Sequence, residues 1–395
     1  MSYRIPFNKP CIAGNEMKYV TKAIEMGHIS GDGHFTEKCQ RLLESALSVK
    51  KVFLTPSCTQ ALEMCALLLN IRDGDEVIVP SFTFVSTVNA FILHGAKPVF
   101  IDVRPDTLNL DESKLEKLIT RRTKGIVPVH YAGVGSEMDR ILQIARKHGI
   151  PVIEDNAHGL FGKYKDRYLG SLGILGALSF HETKNFICGE GGALLVNDEK
   201  LIQRAEIIRE KGTNRTRFLR GEIDKYTWVD IGSSYLPSDL LAAFLYAQLE
   251  AKGTILTERK RVWEYYFRHL RGWAEENNVR LPLVPDNCRQ SYHMFYLILP
   301  DTSRRDAVIA HLKKKGILSV FHYVPLHLSP MGRKWGYQAG DLPVTEDISE
   351  RILRLPFYNQ LTTGNLREIV YSLISSGYQV KRNNCRYQSR NLLKT

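Results

Sequence analysis

Short apolar runs that turn polar at their ends, separated by helical segments, constrain this chain more than any other feature. Residues 52–54, 76–79, 98–103, 126–130, 152–154, 177–180 and 192–196 read as strands. Helical spacing falls between them at 57–69, 84–93 and 137–148. Near-continuous apolar strands are buried on both faces. Strands alternating with helices build a mostly parallel sheet covered by helices. In such sheets ligands bind beyond the carboxyl ends of the strands. What the chain places there is therefore the first question about its chemistry.

Two segments answer it. Val152-Ile153-Glu154-Asp155-Asn156-Ala157-His158 is apolar and then acidic. Ala177-Leu178-Ser179-Phe180-His181-Glu182-Thr183-Lys184-Asn185 is apolar and then offers a hydroxyl and an amine. A carboxylate such as Asp155 can pair with a pyridine nitrogen and keep the ring an electron sink. An amine such as Lys184 can form an imine once burial lowers its pKa. That pair is what pyridoxal phosphate (PLP) chemistry requires. Taken singly, Lys184 also reads as a surface lysine, Asp155 as a cap or loop acid, and His158 as a satisfied structural histidine. In the functional reading His158 bonds the cofactor's ring hydroxyl or buttresses Asp155.

Ser57-Cys58-Thr59 opens a helix directly after a strand, where free N–H groups hold an anion. The hydroxyls of Ser57 and Thr59 grip a phosphate, cap the helix, or do both. Ser179 adds a phosphate contact from a neighbouring strand. Pro80-Ser81-Phe82-Thr83-Phe84-Val85-Ser86-Thr87 also follows a strand. An aromatic ring there stacks on a planar cofactor or packs in the core. Gly189-Glu190-Gly191-Gly192 lacks the spacing of a dinucleotide fingerprint. The sequence has no P-loop and no His-Glu-x-x-His, and no metal is expected.

At 395 residues the chain is too long for one ordinary core. Helical spacing at 15–26 and 36–46, broken by Gly31-Asp32-Gly33, leads into the first domain. From about Leu240 the texture changes, and the domain boundary is placed near residue 250. A helical stretch over 240–273 breaks at Gly253, followed by a strand at 294–299, a helix at 304–315, a strand at 319–322, and helices at 347–354 and 365–375. Residues 1–250 are assigned to a large domain, 251–377 to a smaller α+β domain and 378–395 to a tail. The net charge is +12, and Lys381, Arg382, Arg386, Arg390 and Lys394 place five of those charges in the tail. Such an end can meet nucleic acid or an anionic membrane; it is read as a solvated, disordered tail, with no nucleic-acid partner expected. The remaining excess suits phosphorylated, anionic ligands. The seven cysteines, at 11, 39, 58, 65, 188, 288 and 385, form no C-x-x-C pair and read as free thiols in the cytoplasm. There is no run of about 18 apolar residues to span a membrane, and the start lacks the apolar stretch of a signal peptide.

Four motifs, Thr55-Pro56-Ser57-Cys58-Thr59, Pro80-Ser81-Phe82-Thr83-Phe84, Glu154-Asp155-Asn156-Ala157-His158 and Ser179-Phe180-His181-Glu182-Thr183-Lys184, together resemble the nucleotide-sugar aminotransferases. The resemblance runs from about Ile5 to Gly377. It implies an α/β enzyme of PLP fold type I, homodimeric, with active sites at the interface. It implies that Lys184 forms the imine and shuttles protons, and that Asp155 binds the pyridine nitrogen. His158 would lie by the ring with Phe84 stacked on it. Ser57, Cys58, Thr59 and Ser179 would surround the phosphate.

Segments 209–215, 224–228, 230–239 and 320–327 are most similar to members that use L-glutamate to aminate dTDP-4-dehydro-6-deoxyglucose at C4. Those members release 2-oxoglutarate and give the galacto product for surface polysaccharide. Lys211, Arg215, His322 and His327 are the expected contacts to sugar or pyrophosphate, with ordinary surface or core roles as the alternative. Many members read Gly-Tyr-Asn-Tyr-Arg where this chain has Gly232-Ser233-Ser234-Tyr235-Leu236. Their asparagine reaches the cofactor phosphate of the neighbouring subunit, and Ser234 stands in its place with a hydroxyl. Dehydrating relatives carry histidine at the imine position, so Lys184 favours transamination. The rival readings are the gluco epimer, a 3-amino product, or a non-catalytic nucleotide-sugar binder.

Overall fold

The computed structural model describes residues 3–376, so the basic tail and Cys385 lie outside the described residues. Seven strands form one mixed sheet: β1 (Lys51–Thr55), β2 (Glu76–Pro80), β3 (Lys97–Ile101), β4 (Thr123–Ile126), β5 (Ile153–Asp155), β6 (Leu175–Ser179) and β7 (Gly192–Val196). The order is β1-β7-β6-β5-β4-β2-β3, with β5 and β4 joined by parallel bridges from Ile126 to Val152 and from Val129 to Asp155. Strand β7 runs antiparallel to both its neighbours. The other pairs are parallel. Every residue of β2 and β7 is buried, and apart from Glu76, which is paired with Arg122, both strands are apolar.

Helices α1 (Glu16–Glu25), α2 (His34–Leu47), α3 (Cys58–Leu68), α4 (Ser86–Ile92), α5 (Met138–His148), α6 (Ile202–Arg209) and α7 (Asp239–Glu250) belong to the same body. Alternate strand residues point to opposite faces. Phe53, Val79, Ala177 and Leu194 pack with α3, α4 and α6. Val52, Leu54, Leu178 and Leu195 pack with α2 and α7. Helix α5 shows how local sequence sets an element. Met138, Ile141, Ile144 and Ala145 are buried at helical spacing, and Arg146, Lys147 and His148 fill the last turn. Gly149 ends the helix at φ 67°, with its N–H bonded to the carbonyls of Ala145 and Arg146. Glycine takes that left-handed conformation freely, and the basic turn complements the helix dipole.

A second core is formed by Ile5 and side chains between Val262 and Leu373. Around it lie α8 (Lys252–Glu276), α9 (Thr302–Lys314), α10 (Pro343–Arg351), α11 (Thr363–Ile374) and the antiparallel pair β8 (Tyr296–Ile298) and β9 (Ile352–Arg354). Helix α8 passes between the two cores. Ile255 packs with the sheet helices, whereas Val262, Tyr266, Leu270 and Trp273 enter the second core. The helix break falls at Ala251 rather than Gly253.

Two local expectations fail. Residues 319–322 form no strand; Val320 makes a single bridge to Arg354. The helix expected over 347–354 ends at Arg351, and Ile352–Arg354 is strand β9. A three-residue apolar end satisfies either period, and pairing with β8 decides between them.

Candidate active site

A cavity of about 830 Å³ opens beyond the carboxyl ends of β5 and β6, walled by both cores. Ser57, Cys58, Thr59, Phe84, Asp155, His158, Ser179, Lys184 and His322 all line it. These residues come from distant parts of the chain and meet because the strand order interleaves them.

Ser57 caps α3, and its Oγ accepts the Gln60 N–H at 3.2 Å. The first N–H groups of a helix lack helical partners and favour an anion. Thr59 Oγ1 donates to Ser86 Oγ at 2.8 Å, tying α3 to the start of α4. Gly192 lies against this turn: a Cβ there would stand 2.3 Å from the Ser57 carbonyl carbon. The glycine run thus permits close packing of β7 beneath the helix start.

Asp155 is buried, as a carboxylate can be when hydrogen-bonded. Its Oδ1 accepts the Ala157 N–H at 3.1 Å, and its Oδ2 accepts Thr87 Oγ1–H at 2.7 Å. Thr83 Oγ1 lies 2.8 Å from Thr87 Oγ1. These bonds fix the plane of the carboxylate. Below it on β5, fully buried Glu154 accepts from Leu172 N and Gly173 N on Oε1, both at 2.6 Å. Its Oε2 accepts from Gly170 N and His130 Nε2, both at 2.8 Å.

Lys184 is pushed below its ordinary pKa, first by burial and also by the nearby Arg354 charge, while Asp155 opposes the shift. A lowered pKa frees the amine for imine formation and proton transfer. The His158 ring stacks on His293 at 4.2 Å between centroids. Burial holds His158, His293 and His322 well below the usual imidazole range, so all three are neutral at pH 7. Among the described residues His158 Nδ1 is buried without a hydrogen-bond partner.

PLP fits these features. A helix start suited to phosphate, a buried carboxylate suited to a pyridine nitrogen and an amine of lowered pKa share one cavity. The orphaned His158 Nδ1 lacks the kind of polar partner that the cofactor's ring hydroxyl supplies.

His322 lies within the cavity, with Nδ1 2.6 Å from the Tyr131 hydroxyl. His327 does not line it. Its ring is fully buried, accepting from Ser81 Oγ at Nδ1 (2.7 Å) and donating from Nε2 to Glu346 Oε1 (3.1 Å). Both nitrogens hold protein partners, which corrects the expectation of a substrate contact. Lys211 and Arg215 are exposed beside Glu210, at 3.2 and 3.3 Å, away from this chain's cavity. Ser234 is likewise exposed, and its backbone bridges to Glu210.

Sequence reasoning missed Thr87, His293, Tyr323 and Arg354, which also line the cavity. Thr87 had a signal, since it falls one helical turn after Phe84 within a motif already singled out. Arg354 was hidden by the helix misassignment, and nothing local marks His293. Among the described residues no group of His, Cys, Asp and Glu could hold a metal ion. No described helix is long and apolar enough to cross a membrane.

The chain as a whole is similar to known proteins. The model of the DegT/DnrJ/EryC1/StrS aminotransferase family matches residues 10–374. The GDP-perosamine synthase of Caulobacter vibrioides is 34% identical over 375 residues, covering 94% of this chain and 97% of that protein. The spore coat polysaccharide biosynthesis protein SpsC of Bacillus subtilis is 32% identical over 374 residues, covering 93% and 95%. Spr1654 of Streptococcus pneumoniae, a provisionally assigned sugar aminotransferase, superposes in its PMP form with a TM-score of 0.89 at 26% identity, covering 94% of this chain and 99% of that one. The same protein is also known in a PLP form.

Proposed function

Because the chain belongs to the DegT/DnrJ/EryC1/StrS aminotransferase family and is a PLP-dependent sugar aminotransferase, we propose that it moves the amino group of L-glutamate to C4 of dTDP-4-dehydro-6-deoxy-D-glucose. The product is dTDP-4-amino-4,6-dideoxy-D-galactose, a precursor for surface polysaccharide. The observation that carries the transamination is the meeting of Lys184, Asp155 and the start of α3 in one cavity. The choice of sugar is supported by the likeness of segments 209–215, 224–228, 230–239 and 320–327 to transaminases of that specificity.

Ser57, Cys58, Thr59 and Ser179 would hold the cofactor phosphate, Asp155 the pyridine nitrogen, and His158 the ring hydroxyl, with Phe84 over the ring. Bound there, PLP supplies an electron sink for the charge left when an amino-acid Cα loses its proton. Lys184 Nζ, whose pKa burial lowers, takes the Cα proton of glutamate as a general base. In the second half of the cycle the same amine returns a proton to sugar C4. The face from which it does so sets the axial or equatorial outcome. His322 is assigned to the sugar.

Ser234, Lys211 and Arg215 are assigned to the cavity of the neighbouring subunit in a homodimer. Trp228 and Ile231, between them in sequence, are 77% and 58% exposed. Large apolar side chains grouped on a surface mark an interaction site.

A GDP-linked sugar is the second reading, favoured by the identity to GDP-perosamine synthase. The test gives the PLP-loaded protein L-glutamate with either dTDP- or GDP-linked 4-keto-6-deoxy sugar and identifies the product by NMR. An axial 4-amino dTDP sugar is expected. A 3-amino or equatorial product overturns the assigned member type. Transfer only to the GDP sugar replaces the base.

A further inference from the structure

Arg354 ends β9 at the cavity wall. Its backbone is fixed by reciprocal bonds with Val320: Arg354 N–H to Val320 O at 2.8 Å, and Val320 N–H to Arg354 O at 3.1 Å. The guanidinium carbon lies 4.8 Å over the Phe7 ring. Nη2 donates to Phe321 O at 3.3 Å. Nε is buried and has no partner among the described residues. Two tyrosines, Tyr131 and Tyr323, stand near the charge, and among the described residues no carboxylate pairs with it. Arg354 is half-buried with its Nε enclosed, and a charge withdrawn from solvent is ordinarily paired, so this cation is shaped for an anion that the chain does not supply.

Arg354 lines the same cavity as Lys184 and His158, and its charge works to lower the pKa of both. The missing anion therefore lies close to the reacting atoms. Two substrates visit the cavity in turn. In a nucleotide-linked 4-keto sugar the nearest anion is the diphosphate on C1, across the pyranose ring from C4. In an α-amino acid the carboxylate is bonded to the reacting carbon itself. A planar guanidinium also forks onto a planar carboxylate.

We propose that Arg354 binds the α-carboxylate of the amino donor. This rests on the aminotransferase reading above and adds to it the residue that orients Cα toward Lys184.

The test uses the full-length, PLP-loaded protein with Arg354→Gln and Arg354→Lys. 2-Methyl-L-glutamate has no Cα hydrogen and cannot pass the proton-transfer step, so its binding is titrated by the change in cofactor absorbance. Its Kd is expected to rise about 10- to 100-fold in Arg354→Gln and by less in Arg354→Lys, with PLP affinity unchanged. Single-turnover delivery of amine from the pyridoxamine form to the keto sugar keeps its saturation by sugar, and in Arg354→Lys, which retains the charge beside Lys184, its rate as well. An unchanged Kd for 2-methylglutamate overturns the proposal. So does a defect confined to the keto-sugar half, or an equal loss of PLP affinity in both variants. A wild-type protein that takes amine from L-glutamate but delivers it to no keto sugar overturns the sugar reading instead, and the donor comparison still decides the role of Arg354.

Discussion

Glu154→Gln keeps the shape of the side chain and changes one oxygen to an NH2 group. The carboxylate has two donors on each oxygen. An amide nitrogen cannot accept. Placed at the Oε1 position, it leaves the N–H groups of Leu172 and Gly173 without an acceptor. Placed at the Oε2 position, it leaves Gly170 N–H unpaired and forces His130 to accept at Nε2. The His130 proton then moves to Nδ1, which can no longer accept the Ser136 N–H at 3.2 Å. Either orientation breaks two bonds at buried groups. Each buried donor left unsatisfied costs about 1–3 kcal/mol, so the expected loss is about 2–6 kcal/mol. The disturbance also reaches the site. Glu154 precedes Asp155 on β5, and His130 N–H donates to Asp155 O at 3.2 Å, so PLP affinity should fall too. Urea unfolding of the apo protein reads the stability loss as a lower midpoint at unchanged slope. A loss below about 1 kcal/mol at unchanged slope would refute this account of the β5 edge.

Thr87→Val removes the hydroxyl that donates to Asp155 Oδ2 and keeps the branched shape; PLP should bind about tenfold more weakly by absorbance titration, and Thr87→Ser should restore it. If valine and serine bind PLP alike, the hydroxyl does not orient Asp155. Lys184 titrates lower in the folded state than in the unfolded chain, so the unfolded chain binds its proton more readily and apo stability rises with pH up to the ordinary lysine value of about 10.4. Lys184→Met should flatten that rise in urea midpoints, and parallel pH curves would count against a depressed lysine. His158, His293 and His322 are also held low; apo stability should fall as pH drops below about 6.5, where the unfolded histidines take up protons. A urea midpoint that stays flat from pH 7 to about 5.5 would refute their neutral burial.

Much of the large domain was legible because its signals are local. Apolar strands with polar ends, helices between them, and the residues at positions 57–59, 155, 179 and 184 follow from periodicity and from where strands stop. The sequence by itself thus determined the βα architecture, the kind of cofactor and most of the residues singled out that line the cavity. Strand order was decided only in three dimensions. Strand β7 inserts between β1 and β6, and that insertion brings the α3 start beside Ser179 and Lys184. Periodicity reports which face of a strand is buried but not which strand lies next to it. The same limit hid Arg354, since Ile352-Leu353-Arg354 becomes a strand only when β8 pairs with it. His327 shows the converse: a histidine in a motif looks functional until packing against Ser81 and Glu346 occupies both its nitrogens. Long-range pairing is set by the shared burial of distant surfaces, and that free energy belongs to the folded chain as a whole rather than to any segment of it.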